Sequence, residues 1–311
     1  MKQKHTYHGT LLKNKQGDSR LLDIFLVFIY SLFTQICVFP SYYLIINTIS
    51  DNRLVSIGAI TFLPKGIHFN NYLDVFKMEG MLESTFISIA RTVLGTLLML
   101  GCTCFLGYAF SRKEYWHKKL FYRFVIVTMY FSAGMVPHFI NIKNLGMMNT
   151  FWVYIIPGAI SAYNMILFKT YVESIPESLE ESAELDGAGY LIRFARIVMP
   201  LCVPILATIT VFTAVGQWNA FTDSLYYISN TKLYTLQFRL YQYLSHSEKV
   251  AMQMRQQSNM SAEAMEAIAN SINPTSLRMT ITVVVVLPVI CVYPFFQRYF
   301  VKGIMIGAVK S

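Results

Sequence analysis

Charge is what this sequence has least of. Asp, Glu, Lys and Arg make up 14% of its 311 residues, against about 25% in an average soluble domain. That deficit excludes an ordinary soluble domain as the simplest reading. Acids are scarcer than bases, 17 against 26, so the formal net charge is +9. Cysteine is also sparse: Cys37, Cys102, Cys104, Cys202 and Cys291 all lie in or beside apolar stretches. They predict no disulfide framework and read as small buried hydrophobes, while the C-x-C at 102–104 is only a weak metal signal. No G-x-x-x-x-G-K-[ST] occurs, so this polypeptide is not expected to cradle a nucleotide phosphate or hydrolyse ATP itself. No H-E-x-x-H occurs, and His5, His8, His68, His117, His138 and His246 are scattered; no metal site is expected. Gly187-x-Gly189 has neither a third glycine nor a strand before it, which excludes a dinucleotide site. A membrane-embedded enzyme would need converging titratable groups inside apolar spans, and these spans hold almost none.

Apolar residues are what the chain has in abundance, at 54% hydrophobic and 15% aromatic. Runs of about 18 or more apolar residues are candidates to cross a bilayer. Six are present, at Leu21–Ile49, Ser84–Phe110, Phe124–Ile140, Phe151–Phe168, Leu201–Ile228 and Leu277–Phe296. The expectation is an all-α membrane protein with six transmembrane helices. Pro40 lies within the first run and is expected to kink it. That run is too long for a signal-peptide core and no small-residue cleavage site follows, so it is expected to be retained.

Sixteen of the 26 Lys and Arg residues fall in segments 1–20, 111–123, 169–200 and 297–311. Nine lie in or at the edge of the other loops, and Arg91 sits inside a span. The positive-inside rule then places both termini and the 171–200 loop in the cytosol. The organisation expected is a cytosolic segment 1–20, a six-helix domain 21–296 with an extracellular segment 229–276, and a cytosolic tail 297–311. Basic residues gathered at helix ends suit a membrane protein, so no nucleic-acid partner is expected. Neither an internal repeat nor paired interrupted helices are visible, which argues against a secondary carrier.

The most informative stretch is Ile175 to Pro204. Six of the 17 acids, Glu173, Glu177, Glu180, Glu181, Glu184 and Asp186, fall in or just before its first half. Pro176 favours helix initiation, and Ser174 with Glu177, or Ser178 with Glu181, matches a capping box. Early acids suit the positive end of the helix dipole. A helix is predicted over 177–185, ended by Gly187 and Gly189. A second run, Tyr190–Val198, places Leu191, Phe194, Ala195 and Val198 on one side with Arg193 and Arg196 elsewhere. The expected shape is a helix–turn–helix under the membrane with its acidic first helix facing water. Exposed clustered acids repel one another and add little to folding. The stretch is either a solvated acidic surface or a docking helix for a protein with basic walls.

Glu181-Ser182-Ala183, then Asp186-Gly187-Ala188, then Phe194, Ile197, Pro200 and Pro204, resemble the "EAA" signature of ABC importer permeases. Ser182 replaces the usual second-position alanine, and Glu184 replaces a small residue before Leu185. F-L-P-K-G and N-Y within 62–72, M-Y-F-S-A-G-M-V-P at 129–137, A-V-G-Q-W-N-A-F at 214–221 and Q-R-Y-F-V-K-G-I-M-I-G-A-V-K at 297–310 are similar to the carbohydrate-uptake branch. Within it they look most like permeases for oligosaccharides and polysaccharide fragments in Gram-positive bacteria. The resemblance runs from about Asp18 to Ser311, with 245–275 the least family-like part. It implies a type I ABC importer permease fold in the cell membrane, with a cytosolic coupling helix. Glu180, Glu181, Ser182, Ala183, Asp186, Gly187 and Ala188 would couple to ATPases. The implied partners are a second homologous permease in a heterodimer, two ATPase subunits that bind ATP and Mg, and an extracellular substrate-binding lipoprotein. No cofactor is implied in this chain. Oligosaccharide is the implied cargo; a peptide or polyamine is the alternative, and an ATP-independent carrier a further one.

Several polar and aromatic residues inside the spans are candidates for a sugar path. Gln217, Trp218 and Asn219 lie near 25 Å from the cytosolic end of the fifth run at ~1.5 Å per residue. An indole face stacks on a sugar ring and amides hydrogen-bond its hydroxyls. The same residues equally suit an interfacial tryptophan with interhelical amide bonds. Asn164 and Tyr163 in the fourth run, and Tyr130, Phe131 and Ser132 in the third, are further candidates. Arg91 is expected to pair with Asp223 or to snorkel, ahead of touching substrate.

Overall fold

The computed structural model describes residues 20–256 and 275–308, and among them every regular element is helical. The expected N-terminal segment apart from Arg20, residues 257–274 of the expected extracellular segment, and 309–311 of the tail lie outside the described residues.

The chain begins with α1 (Arg20–Thr48), which holds Pro40 inside it. Two short helices, α2 (Asn52–Ser56) and α3 (Asn70–Lys77), lead to α4 (Met81–Ser111). Then come α5 (Lys118–Tyr130), α6 (Met135–Asn144), a 3₁₀ turn at Phe151–Tyr154, and α7 (Ala162–Glu173). The acidic stretch forms α8 (Ser178–Leu185), α9 (Tyr190–Arg193), a π-turn at Phe194–Val198 and α10 (Met199–Leu201). The chain continues as α11 (Val203–Asn219), α12 (Thr222–Tyr227), α13 (Leu236–Gln256) and α14 (Thr275–Ala308).

Among the described residues three helices are long and apolar enough to cross a membrane alone: Leu22–Thr48 of α1, all of α4, and Thr275–Val292 of α14. The third expected run is bent by 116° between α5 and α6. The bend falls where Gly134 takes φ 87°, a conformation a helix cannot continue through, and Pro137 follows in the first turn of α6. The fifth run bends by 79° between Tyr190–Leu201 and α11, and α11 stops at Asn219 rather than continuing to 228. Counting each bent pair as one span gives five, not six. The fourth expected run is divided: Pro157 and Gly158 follow the 3₁₀ turn, and α7 begins only at Ala162. Ser161 caps it by accepting the Asn164 N–H at 3.3 Å.

α4 is the central rod, packed most extensively against α7 and α11. The helices approach closely where Gly107 meets α7. A Cβ there would sit 2.8 Å from Phe168 Cδ1, so glycine permits the contact. Around it Cys104, Tyr108, Phe168, Val172, Val198, Cys202 and Ile209 form one buried cluster. A second cluster, at the other end of α4, joins Val75, Met81, Trp218, Leu236, Leu240, Ile281 and Val285. α13 contributes Leu236 and Leu240 to it, although the sequence reading treats this region as a polar segment. α1 lies mainly against α14, and residues 22–42 of α1 are exposed and mostly apolar.

Candidate functional site

α8 begins without the expected capping box. Glu177 occupies the N-cap and makes no side-chain cap bond, while the Ser174 hydroxyl turns back to the Tyr171 carbonyl at 2.7 Å. Its C-terminus is closed fully by backbone geometry. Gly187 N–H donates to the Glu184 carbonyl at 2.9 Å and Ala188 N–H to the Ala183 carbonyl at 2.9 Å. These two bonds make a Schellman motif, and it needs a left-handed residue at Gly187, whose φ is 83°. The order Ala183, Asp186, Gly187, Ala188 therefore has a local physical reason: a small residue three before the cap faces a small residue just after the glycine.

The acids do not all face water. Glu180 is buried at 5% exposure. Its Oε2 accepts from Arg112 Nη1 at 2.6 Å and from the Tyr108 hydroxyl at 3.0 Å, and the Arg112 guanidinium lies 4.7 Å over the Tyr108 ring. The expectation of a wholly water-facing acidic helix is corrected here: burial leaves Glu180 needing a cation, and the end of α4 supplies one. Lys113 pairs with Glu177 at 2.7 Å, Lys169 with Glu173 at 2.7 Å and Arg193 with Glu184 at 2.7 Å. Lys113 beside it holds the Glu177 carboxyl below the usual carboxylate range, and the same hydrogen bond holds Lys113 above its ordinary value. Glu181, Ser182, Asp186 and Gly187 are exposed, and Ala183 and Ala188 are half-buried. Leu179 and Leu185 stand exposed beside them, Leu185 at 90%.

The second amphipathic run has a different register from the one its sequence predicts. Arg193 is buried and Leu191 is exposed. Arg193 turns inward because Glu184 meets it and its guanidinium lies 4.4 Å over the Tyr190 ring. The π-turn after Arg193 then shifts the following residues, so Val198 faces the core while Ala195 is exposed.

In the N-terminal half of α4, Arg91 is the centre of a buried polar knot. Its Nη2 donates to Asp223 Oδ2, Nη1 to the Ala220 carbonyl at 2.9 Å and Nε to Gln217 Oε1 at 2.9 Å. The guanidinium also stacks 4.7 Å over the Tyr154 ring, whose hydroxyl reaches Ser224 at 2.8 Å and the Leu233 carbonyl at 2.7 Å. Gln217 is thus committed to Arg91, and it lies where a Cβ on Gly95 would meet its Nε2 at 2.9 Å.

Trp218, expected as a candidate sugar contact, is buried in the cluster of α3, α4, α11, α13 and α14, and its Nε1 donates to the Val285 carbonyl at 2.9 Å. Asn164 is also buried, with its Nδ2 at 3.3 Å from Met99 Sδ. Tyr163, Asn219, Tyr130 and Phe131 are exposed. Of these candidates, Phe131 and Ser132 line an open cavity of about 860 Å³ between the α5–α6 bend and α12, together with His138, Asn141, Asp223 and Tyr226 among others. Sequence reasoning missed His138, Asn141 and Tyr226. It also missed Arg112 and Tyr108 as the partners of Glu180; a basic residue at the end of an apolar span, facing an acidic loop, was the available signal.

A family model described as a binding-protein-dependent transport system inner membrane component matches residues 19–306. The chain is 32% identical over 294 residues to the polygalacturonan/rhamnogalacturonan transport system permease protein YtcP of Bacillus subtilis (strain 168), covering 94% of this chain and 99% of the relative. It is 32% identical over 308 residues to protein LplC of the same organism, covering 99% of each. Its fold is similar to a chain in the crystal structure of a bacterial ABC transporter involved in the import of the acidic polysaccharide alginate. That match has a TM-score of 0.79 and 30% identity, and covers 90% of this chain and 97% of that one.

Proposed function

The chain belongs to the family of inner-membrane components of binding-protein-dependent transport systems, and from that premise we propose that it is the permease of an ATP-driven oligosaccharide importer. The observation that carries the coupling role is the construction of α8. Its first turn is tied to the C-cap of α4 through Glu180 and Arg112, and its last is closed at Gly187, a construction that supports its moving together with α4. Leu179, Glu181, Leu185 and Asp186 are left facing outward for a partner.

In this reading a cytosolic ATPase grips α8 and a second ATPase grips the equivalent helix of a second, homologous permease. ATP and Mg bind to those ATPases, not to this chain. Closure of the pair draws the two coupling helices together and tilts α4, and the path opens outward to receive sugar from an extracellular binding lipoprotein. Return to rest releases it inward. The cargoes named for the relatives, polygalacturonan and rhamnogalacturonan in one and alginate in the structural neighbour, support carbohydrate here. Six crossings are proposed, formed by α1, α4, the α5–α6 pair, the segment ending in α7, α11 and α14, with both termini and α8 in the cytosol. The tight packing of α7 against α4 supports counting its segment as a crossing.

The test uses the assembled importer in membrane vesicles, comparing wild type with Gly187→Val and Glu181→Arg. A β-branched residue at φ 83° costs roughly 1–2 kcal/mol. Uptake of labelled oligosaccharide and co-purification of the ATPase are expected to fall about tenfold, the factor that ~1.4 kcal/mol represents. Wild-type values for both variants would overturn the coupling role.

A further inference from the structure

The cavity at the α5–α6 bend has a construction that the coupling role does not use. Residues 131–134 belong to no helix, with Phe131 extended and Gly134 at φ 87°, and the backbone N–H groups of Ser132 and Ala133 donate to no protein group among the described residues. Non-helical backbone at membrane depth persists only where protein buries it or water-filled space meets it. Here the bend opens on a cavity of about 860 Å³, within the ~300–1,000 Å³ range of small-molecule sites. Breaks of this kind are where polar solutes meet transporter backbone.

The side chains around that backbone are of a consistent kind. Ser132, Asn141 and Tyr226 offer hydroxyl and amide groups, His138 offers an imidazole, and Phe131 offers an exposed aromatic face. Asp223 is the only acid among the lining residues, and no Lys or Arg is among them. The Asp223 side chain is 31% exposed while that of its partner Arg91 is 3% exposed. A solute in the cavity therefore meets the carboxylate and not the guanidinium behind it. Arg91 is itself held by Ala220 and Gln217, so it fixes the carboxylate in place and leaves its free lone pairs toward the cavity.

We propose that this cavity is a subsite for an uncharged sugar unit, with Asp223 and Asn141 accepting and donating to its hydroxyls and Phe131 packing on a ring face. The proposal rests on the reading of the chain as an oligosaccharide permease and narrows its cargo. A uronate placed here would bring a second carboxylate against Asp223 with no Lys or Arg in the lining to offset it, and specificity of this kind comes from repulsion as much as from fit. The subsite thus selects neutral sugar units, in contrast to the acidic polysaccharides in the names of the relatives.

The experiment measures ATP-dependent uptake by the assembled importer, with its ATPases and binding protein, of two labelled probes of equal length: a neutral hexose oligosaccharide and an oligogalacturonide. The neutral probe is expected to be carried at least about tenfold more efficiently. Asn141→Ala is expected to raise KM for the neutral probe about tenfold while leaving ATPase co-purification unchanged. Asn141→Arg is expected to reverse the preference by placing a cation in the cavity, an outcome that general loss of structure cannot produce. Equal uptake of both probes, or neutral uptake with an unchanged KM in Asn141→Ala and Asn141→Arg, would overturn the subsite and leave the transport reading intact. Failure of the wild type to carry either probe would overturn both.

Discussion

Two Arg–carboxylate pairs stand along α4, one at its C-cap and one in its N-terminal half, and they do different work. Arg112 meets Glu180 across 68 residues of sequence, and Arg91 meets Asp223 across 132. Twenty-one residues of helix separate the two arginines, about 30 Å at ~1.5 Å per residue. At the Arg112 end the cation is partly solvated, with a side-chain exposure of 20%, and the carboxylate is the buried partner at 7%. At the Arg91 end the relation is reversed: the arginine is enclosed and the carboxylate looks into a cavity. The first arrangement fastens a small acidic helix to the rod; the second anchors a carboxylate where a solute can reach it. A single rigid helix thus joins the docking segment to the cavity wall, which gives motion at one end a physical route to the other.

The comparison can be broken most severely at Arg91. Arg91→Met leaves Gln217 and the Ala220 carbonyl without their donor and Asp223 without its cation, and each lost hydrogen bond to a charged group costs about 1.5–3 kcal/mol. The expected result is a large drop in the thermal unfolding midpoint of the detergent-solubilised complex, together with lost uptake. Glu180→Ala should cost less, about 2 kcal/mol, because Arg112 can still reach water. Here ATPase co-purification is expected to fall while the fold of the outer half, read by proteolysis of the 131–134 bend, stays as in wild type. Trp218→Phe serves as a control between the two ends. It loses one hydrogen bond to Val285, about 1 kcal/mol, and KM for sugar should not change. A raised KM would restore Trp218 to the path.

The smallest effect is expected at Lys113 and Glu177, whose pair is exposed on both sides. Glu177 is held below its ordinary value by Lys113, so its contribution is present above the unfolded carboxylate range and fades as pH falls through the folded value. Lys113 is held above its ordinary value, so its share is present below the unfolded ammonium range and is lost as pH rises through the folded value. Between those limits the pair is constant. Glu177→Gln is expected to leave uptake unchanged at neutral pH and physiological salt, where exposed pairs are screened. Any marked loss would show that Glu177 touches the ATPase directly.

Some of this was readable in residue order because the physics is local. Gly187 ends α8 through its own backbone conformation, and a helix over 177–185 differs by one residue at its start from Ser178–Leu185. The long first, second and sixth runs appear as helices because twenty apolar residues have few other ways to satisfy their backbone in lipid. The fourth run is divided for an equally local reason: hydropathy counts Pro157 and Gly158 as ordinary members of an apolar stretch, while no helix runs through them. Trp218 could not be placed from sequence because an indole suits a sugar and a packed helix interface alike, and the bond to the Val285 carbonyl, 67 residues away, is visible only in the fold.

Sequence alone determined that this chain is a helical membrane protein with an acidic, glycine-terminated helix beside its apolar spans. Composition, period and capping act within a few residues, and the chain carries them wherever it folds. Only the tertiary structure decided which acid is buried, which arginine meets it, that Arg193 turns inward while Leu191 turns out, and that Asp223 looks into a cavity at the α5–α6 bend. Those outcomes depend on which helix ends come together, and the strength of a charge pair depends on how much water the surrounding helices exclude from it.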